Sequence, residues 1–343
     1  MVELNGKKIL VTFLMHLGDL TLTTPFIHAL RKAAPDAHIT MLVDEKLKDV
    51  VLFNPYLDEV VTIDKKGRDN SILSLWVCSR HLSKLDFDVL INLHPNERCS
   101  FIDAMTSVKL RTGTTHKIFK WFWDVFTPLD RSMHAADMYL DVLQQLGVQN
   151  LSNNGLEIFP GEEHFLEAEL FWQEQNITDQ DKLIGFNIGS AVPTKRWPPE
   201  RFAEVADIFA AKGYKTVFFG GPMDEEMVAE ATGYMQTRPI IATGHFAIGG
   251  LAAAMRRCCL IITNDSGPMH VAISQKVPIV AMYGPSNPKL YGPYTKDDAV
   301  IVTAQPPCQG CADGMKHSCD DLQCMTRMTV EQVVKAADTM LNK

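Results

Sequence analysis

Strand-like and helix-like stretches alternate along the whole chain, and this alternation restricts the fold more than any other feature. The first half contains apolar, β-rich runs that are predicted as strands near 8–14, 38–43, 59–63, 87–93 and 108–112. The same pattern restarts near 183 and ends with a predicted helix near 329–341. Because parallel strands are joined by helical crossovers, the pattern predicts an α/β protein with doubly wound parallel sheets.

A segment rich in Asn, Gly and Pro, near 150–162, separates the two halves of this pattern. The chain has 343 residues, of which 46% are hydrophobic, and this is enough to build two ordinary domain cores. We therefore predict an N-terminal domain over 1–160 and a C-terminal domain over 161–343.

Charge and hydropathy exclude several classes of protein. The net charge of −8 argues against a nucleic-acid-binding protein. No apolar run reaches the length of about eighteen residues that a membrane-spanning helix needs. The chain starts with a short polar stretch followed by a strand, unlike a secretory signal. We expect a soluble cytosolic protein that is still able to touch a membrane surface.

Four of the eight cysteines lie close together in the sequence: Cys308, Cys311, Cys319 and Cys324. With His317 nearby, their spacing is compatible with a zinc site. Disulfides are disfavoured in a reducing cytosol. We favour free or packed thiols without a role in the chemistry, and zinc remains the alternative.

The run 260–272 joins an apolar strand to a helix through Asp265, Ser266 and Gly267, with Pro268 predicted at the first helical position. The start of a helix presents free N–H groups and a partial positive charge, so it is suited to bind an anion. This junction is therefore a candidate phosphate site.

Two further junctions of the same kind stand earlier in the chain. Gly18 and Asp19 follow the first predicted strand and open a helix that we expect to run to about Lys32. Lys195 lies in a proline-rich loop between a strand and a helix, followed by Trp197. Ligands of doubly wound sheets bind at the carboxyl ends of strands, where all three junctions are predicted to lie.

The motifs G-D near the start, K-x-W-P in the middle and D-S-G-x-x-H near the end resemble those of glycosyltransferase family 9, the heptosyltransferases of lipopolysaccharide core assembly. The resemblance covers most of the chain and implies an α/β fold of GT-B type, with two facing Rossmann-like domains and a cleft between them. It implies an acceptor-binding N-terminal domain and a nucleotide-sugar-binding C-terminal domain. The last helix of the C-terminal domain is free to pack back on the N-terminal domain. The first strand is not followed by GxGxxG, which counts against an ordinary dinucleotide oxidoreductase.

The resemblance also implies that Asp19 is the catalytic base that deprotonates the acceptor hydroxyl. The alternative from the residues alone is a capping role, for which Asp is well suited. The two roles are compatible, because the positive end of a helix keeps a carboxylate ionised.

On the donor side, the resemblance implies that Lys195 contacts the diphosphate, although a solvated loop charge is the ordinary role of Lys. Glu225 is preferred over Asp224 as the acidic residue that reads the ribose or base. His270 is either a donor contact or a helix-face histidine with a local hydrogen bond, and Trp197 is expected to anchor the loop by packing. The predicted donor nucleotide and phosphate site comprises Ser190, Thr194, Lys195, Glu225, Asp265, Ser266, Gly267 and His270.

The predicted acceptor-binding residues are Gly18, His94 and Arg98, of which the last two are suited to an anionic acceptor. A later stretch, 115–126, combines aromatic residues with Lys. It is either buried core or an interfacial segment that rests on lipid headgroups, and both interpretations stay open.

We therefore expect an inverting glycosyltransferase that moves a sugar, heptose from ADP-heptose by resemblance, onto a lipopolysaccharide core acceptor. We expect no metal or other cofactor, no nucleic-acid partner, a lipid-linked oligosaccharide acceptor and peripheral contact with the inner membrane surface. The alternatives are a nucleotide-sugar epimerase of the same fold and a non-catalytic protein that binds a sugar nucleotide.

Overall fold

A computed structural model of the protein describes residues 2–308, 311, 319 and 321–343. The chain folds into two compact units, Met1–Phe159 and Pro160–Lys343. Each unit contains its own six-stranded parallel sheet, so each is described by itself.

The N-terminal unit has the strand order β3-β2-β1-β4-β5-β6. Its strands are β1 (Lys8–Thr12), β2 (His38–Asp44), β3 (Glu59–Ile63), β4 (Val89–Asn92), β5 (Leu110–Gly113) and β6 (Val125–Phe126). Its helices are α1 (Leu17–Thr21), α2 (Thr24–Ala33), α3 (Ile72–Ser83), α4 (Glu97–Met105) and α5 (Ala135–Gln145), with 3₁₀ helices over Glu45–Val50 and Lys117–Phe122.

The C-terminal unit has the order β12-β11-β10-β7-β8-β9, which is the arrangement of the first sheet read from the other edge. Its strands are β7 (Leu183–Asn187), β8 (Lys215–Phe219), β9 (Ile240–Ile241), β10 (Cys258–Asn264), β11 (Ile279–Met282) and β12 (Ala299–Val302). Its helices are α6 (Glu162–Glu174), α7 (Pro199–Ala211), α8 (Glu225–Tyr234), α9 (Ile248–Met255), α10 (Gly267–Ser274), α11 (Pro288–Tyr291), α12 (Gln323–Thr326) and α13 (Val330–Leu341). Short 3₁₀ helices cover Pro193–Lys195 and Pro222–Asp224.

The central strands of both sheets are buried on both faces, as expected of parallel sheets covered by helices. In the first unit, Leu10, Leu42 and Leu90 are fully buried. In the second, Phe186 and Phe218 stack on neighbouring strands with ring centroids 5.1 Å apart. Each such side chain contributes about 1.5–3 kcal/mol by leaving water, so each unit has a core of its own.

The helix expected to start at Gly18 and run to about Lys32 is divided into α1 and α2. Pro25 causes this break, because it lacks an N–H and its ring clashes with the carbonyl four residues earlier in a continuous helix. The hydroxyl of Thr24 donates to the carbonyl of Thr21 at 2.8 Å and that of Thr23 to the carbonyl of Leu20 at 2.7 Å. Asp19 therefore lies in a short helix that is separate from α2.

The last helix, α13, packs on the C-terminal sheet and against α7. Val333 and Ala337 are fully buried there, and the Thr329 hydroxyl accepts from the backbone N–H of Gln332 at 3.3 Å to cap the helix. A further contact of α13 with the N-terminal domain stays a prediction.

Candidate functional site

In each sheet, the direction in which successive strands are added reverses beside the first strand. The predicted motifs follow the strands at these switch points. In the N-terminal unit β1 pairs with β2 on one side and β4 on the other, so the switch lies between β1 and β4. In the C-terminal unit the switch lies between β7 and β10. Loops after strands at such switch points are where doubly wound sheets bind ligands.

Asp19 is half-buried in the first turn of α1, after the carboxyl end of β1. The N-cap position of this helix is occupied by His16, whose side chain makes no capping hydrogen bond. Asp19 is thus not the N-cap, and its negative charge lies near the positive end of the helix. Gly18, also half-buried, precedes it in the same turn.

Lys65, which sequence reasoning missed, holds the loop that leads to α1. Its Nζ donates to the carbonyls of Leu14 at 3.0 Å and Met15 at 2.9 Å. The same Nζ lies 3.1 Å from Oδ2 of Asp44, and both side chains are largely buried. Because Lys65 follows β3, no local sequence pattern connects it with the loop after β1.

Arg98 is engaged within the protein. Its guanidinium donates to the carbonyl of Lys65 and to Oδ1 of Asn70. Its backbone N–H is capped by Oδ1 of Asn96 at 3.0 Å, at the start of α4. The structure therefore brings Arg98 to the residue that supports the Asp19 loop, and its predicted contact with the acceptor stays a prediction.

His94 lies in the loop after β4 and packs edge to face on Phe13, with ring centroids 6.1 Å apart. Burial, together with the positive charges of Arg131 and His16, lowers the pKa of His94 to about 4. His94 is consequently neutral at pH 7 and can accept a hydrogen bond as well as donate one. Arg131, which sequence reasoning missed, is one of the charges that act on His94.

Asp103 supports the end of β1 from α4. It is fully buried and its Oδ2 accepts from the hydroxyl of Thr12 at 2.9 Å. Burial raises the pKa of Asp103 to about 8, so the protonated acid predominates at pH 7. This group is a structural partner of β1.

In the C-terminal unit, Lys195 and Asp265 form a buried ion pair between the loops after β7 and β10. Nζ of Lys195 lies 2.7 Å from Oδ2 of Asp265, and the two side chains are 13% and 6% exposed. The hydroxyl of Ser286 also donates to Oδ2 of Asp265. Lys195 is therefore not the solvated loop charge that its residue type suggests.

Asn264, the last residue of β10, ties the Lys195 loop to the sheet. Its Nδ2 donates to the carbonyl of Ile188 at 2.7 Å, and its Oδ1 accepts from the backbone N–H of Trp197 at 3.1 Å. Trp197 is fully buried and its Nε1 donates to the carbonyl of Met328 at 3.1 Å. The structure confirms Trp197 as a packing anchor.

Helix α10 begins at Gly267, with Ser266 as the N-cap, so Pro268 occupies the second helical position and not the first. Nδ2 of Asn187, at the end of β7, donates to the hydroxyl of Ser266 at 2.9 Å. His270 is buried in the same helix. The N-terminus of α10 thus lies beside the carboxyl end of β7.

Ser190 and Thr194, the other predicted donor residues of the β7 loop, are both buried. Ser190 Oγ accepts from the backbone N–H of Val192 at 3.3 Å, and its carbonyl accepts from Nε of Arg196 at 2.9 Å. The loop is consequently tightly ordered around Lys195.

The two acidic residues after β8 have different surroundings. Oδ2 of Asp224 accepts from the backbone N–H of Gly221 at 2.9 Å. A Cβ at Gly189 would lie 2.1 Å from Oδ1 of Asp224, so this carboxylate requires glycine in the β7 loop. Glu225 is exposed at the start of α8, whereas Asp224 is partly buried, so Glu225 is the more accessible carboxylate of the two.

The four clustered cysteines belong to the described residues on either side of short gaps between 308 and 321, and His317 lies outside the described residues. Cys308, Cys311, Cys319 and Cys324 are free thiols. Burial raises the pKa of Cys324, and the other three thiols add to this effect. Within residues 2–308, 311, 319 and 321–343, no three His, Cys, Asp or Glu side chains are grouped to hold a metal ion.

None of the described helices is both long and apolar enough to cross a bilayer.

Comparison with known proteins places this geometry in a family. The family model described as glycosyltransferase family 9 (heptosyltransferase) matches residues 75–318. The chain belongs to glycosyltransferase family 9. The match includes the loops after β4, β7, β8 and β10, whereas Gly18 and Asp19 precede it. The protein is therefore a glycosyltransferase, and its fold class is GT-B, with two doubly wound parallel sheets.

Individual relatives agree with this assignment. The chain is 24% identical over 298 residues to lipopolysaccharide heptosyltransferase 3 of Escherichia coli K12, covering 82% of this chain and 83% of the relative. It is 53% identical to a glycosyltransferase family 9 crystal structure from Veillonella parvula, with a TM-score of 0.95 and 99% of each chain covered. E. coli ADP-heptose lipopolysaccharide heptosyltransferase II has the same fold, with 21% identity, a TM-score of 0.80 and 98% of each chain covered.

Proposed function

We propose that this glycosyltransferase transfers heptose from ADP-heptose to a lipopolysaccharide core acceptor with inversion at the anomeric carbon. The names of its relatives support the sugar and the acceptor class. The observation that carries the proposal is the buried pair of Lys195 and Asp265 beside the start of α10. The Lys195 cation and the N-terminus of α10 therefore lie at one switch point.

The donor diphosphate is bound by Lys195 and by the helix start at Ser266 and Gly267. Asp265 accepts one hydrogen bond from the Lys195 ammonium and orients it, and an ammonium has three N–H donors. The remaining donors neutralise negative charge on the leaving diphosphate, and a charge held in place before reaction stabilises the transition state most. Ser190, Thr194 and His270 shape this region, and Glu225 reads the ribose or base.

The acceptor hydroxyl is activated by Asp19. Its carboxylate takes the proton while the hydroxyl oxygen forms a bond to the anomeric carbon. The bond between that carbon and the diphosphate oxygen breaks on the opposite face, and ADP leaves with the electron pair. Gly18 and the neutral His94 flank the acceptor, and Arg98 holds the neighbouring loop. No step needs a metal ion, since Lys195 and α10 supply the positive charge.

Asp19→Asn tests this assignment, because Asn preserves the shape of the side chain but cannot take a proton. We expect the single-turnover rate at saturating donor and acceptor to fall by about 10²–10⁴, with ADP affinity unchanged. Glu331→Gln is the matched control, since it also removes a first-turn carboxylate, in α13, and should leave the rate at the wild-type value.

A rate for Asp19→Asn within about threefold of wild type would contradict the role of Asp19 as base. Release of ADP from donor in the absence of any acceptor, at the rate seen with acceptor, would favour the epimerase instead. Binding of ADP-heptose without turnover on any core acceptor would indicate a binding protein.

A further inference from the structure

Two stretches of the N-terminal unit expose large apolar side chains. In the 3₁₀ helix Lys117–Phe122, Trp121 is 94% exposed and Ile118 is 60% exposed. On the outer face of α3, Ile72 and Leu73 are 74% and 69% exposed. The sequence left open whether 115–126 is buried core or an interfacial segment, and the structure exposes Ile118 and Trp121 but buries Trp123.

Both stretches adjoin the same helix, α4. Helix α4 packs against α3 and also against the 3₁₀ helix. Phe101 of α4 meets Phe119 edge to face, with ring centroids 6.2 Å apart. We call this region the apolar surface and define it by Ile72, Leu73, Trp76, Val77, Ile118, Trp121 and Phe122, all exposed.

The exposure of Trp121 is built into ordered structure. Two residues further on, Trp123 is buried and its Nε1 donates to the carbonyl of Thr112 at 3.1 Å. Before it, the backbone N–H of His116 donates to the hydroxyl of Ser100 at 2.9 Å. The chain is thus fixed on both sides of Trp121. Exposed apolar patches on ordered structure usually mark an interaction site.

Basic residues occur in both sequence stretches that form the apolar surface, although the whole chain is acidic. Lys117 and Lys120 are exposed, and Nζ of Lys120 lies 4.4 Å from the centroid of the Phe126 ring. Residues 65–84, which include α3, contain five Lys or Arg and one Asp, against a net charge of −8 for the protein. Aromatic side chains interleaved with Lys are typical of segments that lie at a membrane interface.

We propose that the apolar surface docks on a bilayer that contains anionic lipid. Trp121 and the apolar side chains of α3 enter the headgroup region, and Lys117 and Lys120 meet lipid phosphates. The proposal deepens the proposed function, since a lipid-linked acceptor is presented at such a bilayer. A second copy of this chain fits less well, because a two-fold contact would bring the same Lys residues together.

Vesicle flotation tests the proposal on the full-length protein. The probes are vesicles of phosphatidylcholine alone and of phosphatidylcholine with phosphatidylglycerol. We expect binding to the anionic vesicles and a loss of about tenfold or more in Trp121→Ser, because a buried indole removes a large apolar area from water. Tyr234→Ser is the matched control: Tyr234 is 54% exposed in the C-terminal unit and its replacement should leave binding unchanged.

The charges are tested separately. Lys117→Gln and Lys120→Gln should each weaken binding by about fivefold, the effect of roughly 1 kcal/mol per basic residue near an anionic surface. High salt should weaken wild-type binding and leave less difference between these variants and wild type, because it screens the lipid charge.

Three results would overturn the proposal. The first is equal binding of wild type to neutral and anionic vesicles, and the second is wild-type flotation of a combined Ile72→Ser, Trp121→Ser variant. The third is a change of oligomeric state in Trp121→Ser, by sedimentation velocity, with vesicle binding intact; it would assign the surface to a second copy of the chain.

A comparison of acceptors separates this proposal from the proposed function. Trp121→Ser should turn over a deacylated, water-soluble acceptor at the wild-type rate and an acylated acceptor in vesicles more slowly. Flotation with no turnover on either acceptor would contradict the function and leave the membrane proposal standing. Equal turnover on both acceptors by Trp121→Ser and wild type would count against the membrane proposal alone.

Discussion

Lys195 and Asp265 show how one contact links the stability of the protein with its proposed chemistry. Both side chains are largely buried, at 13% and 6% exposure. In a buried pair, removing one partner leaves the other charge without compensation, which costs more than the pair contributes. The same Lys is also the proposed cation for the donor diphosphate, so two effects must be separated.

Lys195→Ala is expected to lower the free energy of unfolding by about 3–5 kcal/mol, because Asp265 stays buried and charged. Adding Asp265→Asn should restore part of that stability, measured by urea unfolding. ADP affinity, measured by calorimetry, should fall by roughly ten- to a hundredfold in Lys195→Ala and stay low in the double variant.

The control is Lys212→Ala, which breaks an exposed pair with Asp338 at 2.6 Å and should cost at most about 1 kcal/mol. Asp265→Asn alone shows how much of the affinity depends on the carboxylate. Wild-type ADP affinity in the double variant would remove Lys195 from the phosphate site.

At the level of elements, the loop between β1 and α1 is positioned by residues from three other parts of the N-terminal unit. Lys65, after β3, donates to two of its carbonyls. Asp44, at the end of β2, fixes the Lys65 ammonium. Arg98 of α4 donates to the carbonyl of Lys65. A loop held in this way presents Asp19 in one orientation, which its proposed role as general base requires.

Lys65→Gln is therefore expected to lower kcat/KM by about 10- to 100-fold, since a loss of loop position of about 1 Å has effects of this size. ADP affinity should remain unchanged, because the loops proposed to bind the donor belong to the other unit. Steady-state kinetics with a water-soluble acceptor and calorimetry with ADP measure the two quantities.

Lys66→Gln provides the matched control, because Lys66 is the exposed neighbour of Lys65 and should be neutral in both measurements. Unchanged kcat/KM in Lys65→Gln, with the variant folded, would show that the loop does not depend on these hydrogen bonds.

At the level of the whole molecule, the two units repeat one architecture with different chemistry at their switch points. Both sheets have the same strand order. The N-terminal switch carries an acid and a neutral imidazole, Asp19 and His94, whereas the C-terminal switch carries the Lys195 cation and a helix start. In the proposed mechanism, the first switch point removes the proton from the acceptor and the second binds the diphosphate.

Hydrogen exchange measured by mass spectrometry, with and without saturating ADP, should show this division. We expect ADP to slow exchange in 187–197, 220–225 and 264–270, because a ligand that binds the native state suppresses local opening. Segment 8–22 should exchange as in the free protein. UDP at the same concentration is the control for recognition of the base, and protection confined to the N-terminal unit would contradict the donor assignment.

The sequence by itself determined the α/β class and most of the helices and strands, because apolar periodicity and strand-to-helix junctions are local signals. It missed the two-residue strand β6, which is too short to show a period, and the break between α1 and α2, where Pro25 ends the continuity. The motifs also placed Asp19, Lys195 and Asp265 at strand ends.

Only the tertiary structure decided what these residues contact. Lys195 and Asp265 are 70 residues apart, Lys65 supports a loop about 50 residues earlier, and the Trp121 side chain is exposed while that of Trp123 is buried. Such outcomes depend on which strands become neighbours and on how much space the neighbours leave, and neither is encoded in any local stretch of sequence.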